Sequence, residues 1–166
     1  MPNLIVLRGN SGSGKTSTAK RLQRHFGRNT LLISQDMVRR DMLMVRDSAD
    51  TPALPLLMEL LRYGHSHCAV VILEGILNAD RYRPLFLLAR ELFGDNIYAY
   101  YYDLPFAETL RRHQTKPNCG DFGETDMRAW WQDRDYSDVL SEHSLTQDLS
   151  QTATVELIIQ ALNHAL

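Results

Sequence analysis

A glycine-rich segment directly after a short apolar run constrains this chain more than any other feature. Residues 9–16, GNSGSGKT, match the pattern G-x-x-x-x-G-K-[ST] at every fixed position, and the run LIVLR at 4–8 precedes them. The run predicts a buried strand, and apolar residues spaced on one face predict a helix over 15–26. A strand before and a helix after are the context that this pattern requires. The sequence therefore predicts a phosphate-binding loop between the first strand and the first helix.

The residue types in this loop have a physical reason. Glycines let the backbone curl so that successive N–H groups point at phosphate oxygens, and the following helix presents its free N–H groups to the same anion. Lys15 is predicted to contact the β- and γ-phosphates, and the Thr16 hydroxyl is predicted to ligate Mg²⁺. The predicted nucleotide contacts of the loop are Gly9, Asn10, Ser11, Gly12, Ser13, Gly14, Lys15, Thr16 and Ser17.

Strands and helices alternate along the rest of the chain. Further strands are predicted at 30–34, 69–75, 96–104 and, more weakly, 144–146. Further helices are predicted at 36–45, 52–64 with Gly64 at its end, 81–93, 105–114, through Trp130 and Trp131, and at about 151–164. Strands separated by helices predict a parallel sheet covered on both faces. We therefore expect one α/β domain over 1–166, with three layers (α/β/α) and about five mostly parallel strands.

The composition limits the classes of partner. With 18 Lys and Arg against 20 Asp and Glu, the formal net charge is −2, which argues against a protein whose main partner is nucleic acid. Cys68 and Cys119 are too few for a disulfide framework or a four-ligand zinc site, so a cytoplasmic location is expected. Neither a signal peptide nor a membrane-spanning run is expected. The sequence carries no signal for an oligomeric state.

Motifs beyond the loop separate the classes of nucleotide-binding protein. The chain has no Asn-Lys-x-Asp segment of the kind with which GTPases read guanine, and the strand at 69–75 ends in the single Glu74, not an acidic pair. In these features and in the order of its elements, the chain resembles the small P-loop kinases. These include nucleoside, gluconate and shikimate kinases, chloramphenicol phosphotransferase, polynucleotide 5′-kinase and zeta-toxin-like proteins. The resemblance covers nearly the whole chain, but only the phosphate loop is specific by motif.

The resemblance implies roles for residues that follow the second and third strands. In these kinases an aspartate just past the second strand accepts the proton of the attacking hydroxyl, and an arginine three residues later steers a phosphate. Asp36 and Arg39 have that spacing. An aspartate after a strand is also a common helix cap, and the two roles are compatible. Glu74 is implied to hold a metal-bound water or contact the substrate, while Asn78 and Tyr82 are implied to line the acceptor pocket.

The resemblance also implies a mobile lid at about 111–135 whose arginines close over ATP. Arg112 is favoured as the catalytic arginine, with Arg111 next, because guanidinium groups stay charged and match phosphate oxygens. The expected function is ATP- and Mg²⁺-dependent transfer of the γ-phosphate to a hydroxyl of a small molecule, such as a nucleoside, a sugar or an antibiotic. Two alternatives stay open. One is an ATP-binding regulatory protein that transfers nothing, and the other is a kinase for polynucleotide 5′-hydroxyls or nucleotide sugars. No motif distinguishes ATP from GTP.

Overall fold

The structure is a computed structural model that describes residues 1–117 and 119–165. Five strands form one sheet in the order β2-β3-β1-β4-β5. The strands are β1 (Asn3–Gly9), β2 (Thr30–Ser34), β3 (Val70–Gly75), β4 (Ile97–Tyr102) and β5 (Glu142–Leu145). Every neighbouring pair runs parallel, and β1 lies at the centre between β3 and β4. The prediction of about five mostly parallel strands is confirmed.

The helices follow the strands in the predicted alternation. They are α1 (Lys15–Phe26), α2 (Gln35–Met37), α3 (Ala53–His67), α4 (Arg83–Phe93), α5 (Phe106–Gln114), α6 (Glu124–Trp130) and α7 (Gln151–His164). A π-helical turn, Val38–Met42, continues α2. The helix predicted over 36–45 therefore ends earlier than expected, at Met42, and its last turn is wider than that of an α-helix. It cannot continue past Met44, whose left-handed φ of 55° is incompatible with a right-handed helix.

Both faces of the sheet are buried under helices. Along β1, Leu4 and Val6 pack into one apolar core together with residues of α3 and α4. Ile5 and Leu7 point to the opposite face and pack with residues of α1 and α7. Because side chains alternate along a strand, a strand buried on both sides reads as a continuous apolar run, as 4–7 does. The three-layer prediction is confirmed. In the described parts of the chain, every helix is too short or too polar to span a bilayer.

Gly64 lies inside α3 and does not end it, so the predicted stop at this residue is wrong. The helix continues to His67. A Cβ added to Gly64 would lie 2.7 Å from Val71 Cγ2 and 2.9 Å from Leu31 Cδ2. The glycine is required because α3 packs closely on β2 and β3 at this position, and not because the chain turns there.

The register of the sheet brings three loops to one edge. Glu74 in β3 pairs with Ser34 in β2 on one side and with Leu7 in β1 on the other. The segments that leave these strands are α2, the turn after Gly75 and the phosphate loop that begins at Gly9. Since the strands are parallel, these segments emerge side by side at the carboxyl edge, where α/β sheets bind their ligands.

We predict that Gly64→Ala destabilises the protein although alanine favours helix. Overpacking against Val71 and Leu31 should cost about 1–3 kcal/mol, which exceeds a helix-propensity gain of up to about 1 kcal/mol. Urea denaturation measures the difference. The matched control is Ser66→Ala, which is exposed on the same helix and should change stability by less than about 0.5 kcal/mol. Equal stability of Gly64→Ala and wild type would contradict the packing argument.

Candidate functional site

The phosphate loop has a backbone that only glycine adopts easily. Gly12 and Gly14 have φ values of 82° and 101°, in the left-handed region. A Cβ on Gly12 would lie 2.5 Å from Thr109 O, so α5 packs directly on the loop. Helix α1 begins at Lys15, immediately after Gly14. Its free N–H groups and the positive end of its dipole therefore face the loop, an arrangement that suits phosphate.

Lys15 is buried and turned toward the loop. Its Nζ donates a hydrogen bond to Asn10 O at 2.7 Å, and the Ser13 hydroxyl donates to the same oxygen at 2.6 Å. Burial lowers the pKa of Lys15 from 10.5 to about 8, against the opposing effects of Glu74 and Asp36, whose negative charges raise it.

Thr16 and Glu74 supply the oxygen atoms next to the loop. Thr16 Oγ1 donates a hydrogen bond of 3.1 Å to Glu74 Oε1, and the Glu74 side chain is buried at the end of β3. Hydroxyl and carboxylate oxygens are ligands that suit Mg²⁺ together with nucleotide phosphates. Within 1–117 and 119–165, no cluster of three or more His, Cys, Asp or Glu side chains could hold a metal ion. The Thr16 and Glu74 pair is the place where the predicted Mg²⁺ fits.

Asp36 and Arg39 lie together, as their spacing predicts. Asp36 Oδ1 accepts hydrogen bonds of 2.8 Å from Arg39 Nη2 and is contacted at 2.8 Å by Arg40 Nε. The cap of α2 is Ser34, whose hydroxyl accepts from Met37 N at 3.4 Å. The helix-capping role is thus taken by another residue, and the Asp36 side chain is 57% exposed. The Asp36 carboxylate lies exposed at the carboxyl edge of the sheet.

Tyr82 and Asn78 take positions that differ from direct lining of a pocket. Tyr82 is fully buried; its hydroxyl donates to Asp47 Oδ1 at 2.7 Å and accepts from Gln35 Nε2 at 3.0 Å. Burial raises the pKa of Tyr82 well above its usual value, so this hydroxyl stays protonated. Tyr82 is therefore not placed for the expected direct contact with substrate. Its buried side chain supports Gln35 and Asp47 instead. Asn78 is half-buried and bound to Gln132.

Arg112, not Arg111, contacts the phosphate loop. Arg112 Nη1 donates to Ser13 O at 2.8 Å, and its Nε donates to Glu108 Oε1 at 2.8 Å. Arg111 is 65% exposed and pairs with Glu108 as well. Hydrogen bonds from Arg111 and Arg112 lower the pKa of Glu108 to about 2. Glu108 therefore stays ionised and holds Arg112 against the loop.

A cavity of about 450 Å³ opens beside the loop. Its lining includes Ser13 and Gly14 of the loop, the cationic residues Arg111, Arg112 and Lys116, and residues of the segment 147–151. Lys116 is partly buried, and the loss of water around its ammonium group lowers its pKa. A cavity lined by phosphate-loop residues and by cationic side chains suits a nucleoside triphosphate.

The sequence of residues 4–137 matches a family described as an AAA domain. The chain belongs to this family. Among solved structures it is similar to a gluconokinase from Sinorhizobium meliloti 1021, with 18% identity, a TM-score of 0.64, and 99% of this chain and 93% of that chain covered. It is also similar to an APS kinase from Mycobacterium tuberculosis in complex with AMPPNP and APS, with 21% identity, a TM-score of 0.64 and 98% of both chains covered.

A third similar structure is a shikimate kinase from Acinetobacter baumannii in complex with shikimate. It has 19% identity and a TM-score of 0.57, with 99% of this chain and 93% of that chain covered. No curated protein sequence matches this chain. The resemblance to the small P-loop kinases and the fold that it implied are confirmed.

Arg8 is a central residue that the sequence reasoning missed. It is fully buried at the end of β1, and Nε and Nη2 donate to Leu77 O at 3.0 and 2.9 Å. Nη1 pairs with Glu142 at 2.7 Å, and Nη2 pairs with Asp135 at 3.0 Å. Leu77 has a left-handed φ of 45°, so the turn after β3 is bent to aim its carbonyl at the guanidinium group. An arginine inside a predicted buried strand was the signal available in the sequence.

Gln35 and Gln132 were also missed. Gln35 is buried and supports Tyr82, while Gln132 contacts both Asn10 and Asn78. Neither residue belongs to a motif, and a lone glutamine in a helical or loop segment carries no chemical signal by itself. Only the contacts across 47 to 122 residues of sequence reveal them.

We predict that Lys15→Met raises the stability of the nucleotide-free protein while weakening nucleotide binding. Between pH 8 and 10.5 the unfolded chain binds more protons at Lys15 than the folded chain, so wild-type stability rises with pH over this range. The advantage of the methionine variant should be roughly 3 kcal/mol at pH 7 and should shrink as the pH approaches 10.5. Denaturation at several pH values checks this. A constant difference would show that burial of the charge is not its cause.

We predict that Arg8→Met costs about 3–5 kcal/mol of stability, because it leaves the Glu142 carboxylate buried without a cation. The double variant Arg8→Met with Glu142→Gln should recover part of that loss, since the unpaired charge is removed. Guanidinium chloride denaturation of both variants provides the comparison. If the double variant is less stable than the single one, the loss comes from packing and not from the unpaired carboxylate.

Proposed function

We propose that this protein is an ATP- and Mg²⁺-dependent kinase that transfers the γ-phosphate to a hydroxyl of a small molecule. The observation that carries the proposal is the meeting of two sets of groups at the carboxyl edge of the sheet. Lys15 and the pair of Thr16 and Glu74 form a donor side. Asp36 with Arg39 forms an acceptor side, in the segment that leaves β2 at the same edge of the sheet.

The acceptor side has the chemistry that a hydroxyl acceptor needs. The attacking oxygen must lose its proton as its bond to phosphorus forms, and a carboxylate can take that proton. Both neighbouring arginines contact Asp36 on Oδ1, and none of the described residues hydrogen-bonds Oδ2. Oδ2 is therefore the atom to which we assign the proton. The two guanidinium groups on Oδ1 fix the orientation of the carboxylate and leave Oδ2 free to accept the proton.

The donor side has the charges that phosphoryl transfer needs. Mg²⁺, when bound with the nucleotide beside Thr16 and Glu74, would neutralise phosphate charge. Lys15 and Arg112 supply fixed positive charge on the loop side, where charge spreads over the equatorial oxygens during transfer. We assign the segment at about 111–135 to a lid, within one domain over 1–166, because it carries Arg112 on the phosphate loop and because its first residues, at 111–117, contribute to the lining of the cavity. Closing such a lid excludes water from the transferring group.

The names of the similar structures support the same reaction class. Two are kinases captured with ligands: one with AMPPNP and APS, the other with shikimate. These ligands were bound by those two proteins. They make a nucleotide and a small-molecule acceptor the first partners to test with this chain. A regulatory protein that binds ATP without transfer would need no carboxylate after β2 at this edge of the sheet, so Asp36 favours the enzyme.

We predict that Asp36→Asn lowers the turnover number by about 10²-fold or more and leaves ATP affinity within about twofold. The asparagine keeps the size of the side chain but cannot accept the proton. The acceptor is first found by measuring ATP consumption with nucleosides, sugars and sugar acids, aminoglycosides, chloramphenicol and oligonucleotide 5′-hydroxyls. Turnover and ATP binding by calorimetry are then compared for the two proteins.

The matched control is Asp41→Asn, which changes an exposed carboxylate in the adjoining π-helical turn. It should retain wild-type turnover. Full activity of Asp36→Asn would show that this carboxylate is not the base. Tight ATP binding without consumption in the presence of any acceptor would favour the regulatory protein instead.

A further inference from the structure

The phosphate loop is joined to the end of the lid segment by a two-way amide contact. Asn10 Nδ2 donates to Gln132 O at 2.7 Å, and Gln132 N donates to Asn10 Oδ1 at 2.7 Å. The Asn10 side chain thus pairs with the main chain at Gln132 as a neighbouring strand would. Asn10 is 5% exposed, so water competes little for these hydrogen bonds.

The side chain of Gln132 continues the connection to the turn after β3, which leaves the sheet next to the acceptor-side segment that follows β2. Its Oε1 accepts a hydrogen bond of 2.8 Å from Asn78 Nδ2. Asn78 Oδ1 in turn accepts from the main-chain N–H groups of Asp80 and Arg81 at 3.1 and 2.9 Å. Asn78 therefore fixes the turn at 76–82 that leads from β3 into α4, and Gln132 fixes the orientation of the Asn78 amide.

The loop end of this connection is the place where a nucleotide acts. The Asn10 carbonyl accepts hydrogen bonds from both Lys15 Nζ and Ser13 Oγ. An anionic phosphate oxygen is a stronger partner for the Lys15 ammonium than a neutral carbonyl is. Nucleotide binding should therefore draw Lys15 away from Asn10 and change the bonding of the peptide that carries the Asn10 side chain.

We propose that Gln132 is a positioning residue that couples the nucleotide-bound state of the phosphate loop to the shape of the acceptor-side turn at 76–82. The coupling passes from Asn10 through Gln132 to Asn78. This inference rests on the proposed nucleotide site and adds to it. It makes the conformation of the turn at 76–82 depend on the nucleotide.

Hydrogen exchange of the turn tests the coupling without knowledge of the acceptor. The reporters are the amides of Asp80 and Arg81, and the probe is AMPPNP with Mg²⁺, whose affinity is measured in parallel by calorimetry. In the wild-type protein, AMPPNP should slow exchange of these amides by about threefold or more.

Two substitutions at Gln132 separate coupling from simple support. Gln132→Ala removes the acceptor of the Asn78 hydrogen bond but keeps the main-chain pairing with Asn10. It should abolish the AMPPNP-dependent slowing and leave AMPPNP affinity within about twofold. Gln132→Glu keeps an oxygen acceptor and should retain the slowing. A residue that only supports the fold would raise exchange equally with and without AMPPNP.

The outcomes distinguish this inference from the proposed function. If the wild-type protein binds AMPPNP but exchange at 76–82 does not change, the coupling is overturned and the nucleotide site stands. Retention of the full slowing in Gln132→Ala overturns it in the same way. If the wild-type protein does not bind AMPPNP at all, the proposed function falls, and the coupling falls with it.

Discussion

The buried guanidinium group of Arg8 joins the strand that carries the phosphate loop to three other parts of the molecule. It holds the turn after β3 through Leu77 O and the end of the lid segment through Asp135, and it fixes β5 through Glu142. The guanidinium group also lies 5.1 Å from the centroid of the Phe86 ring. Five donors in a rigid plane suit this task, because each partner comes from a different direction. An ion that is buried and paired in this way fixes the geometry more than it adds to stability.

The second constraint is the parallel register of β1, β3 and β2. It places Leu7, Glu74 and Ser34 in one row, so that the segments that follow them share an edge. Backbone hydrogen bonding, and not any side-chain recognition, brings Glu74 next to Thr16 and places the segment that carries Asp36 at the same edge. The donor side and the acceptor side are thus built from residues that lie 20 to 60 positions apart in the sequence. The sheet that brings these residues together would form in the same way without their side chains.

Local patterns in the sequence predicted the elements well and the contacts between them poorly. The phosphate loop and the alternation of strands and helices follow from glycine conformation and apolar periodicity, which are local properties. Gly64 was misread because a glycine near the end of an apolar pattern usually stops a helix, whereas here it permits close packing on Val71. Tyr82 was read as a pocket wall because it follows β3, but its burial depends on α2 and on the segment at Asp47.

The sequence by itself determined that the chain forms a parallel α/β sheet with a phosphate loop after its first strand, and it identified the Asp36 and Arg39 pair by spacing. These features depend on residues within one or two turns of each other. Only the tertiary structure decided that Arg112 and not Arg111 contacts the loop, that Arg8 is the buried centre of an ion-pair network, and that Gln132 bridges Asn10 and Asn78. Such contacts join residues far apart in the chain, and their geometry is set by how the layers pack, which no local pattern encodes.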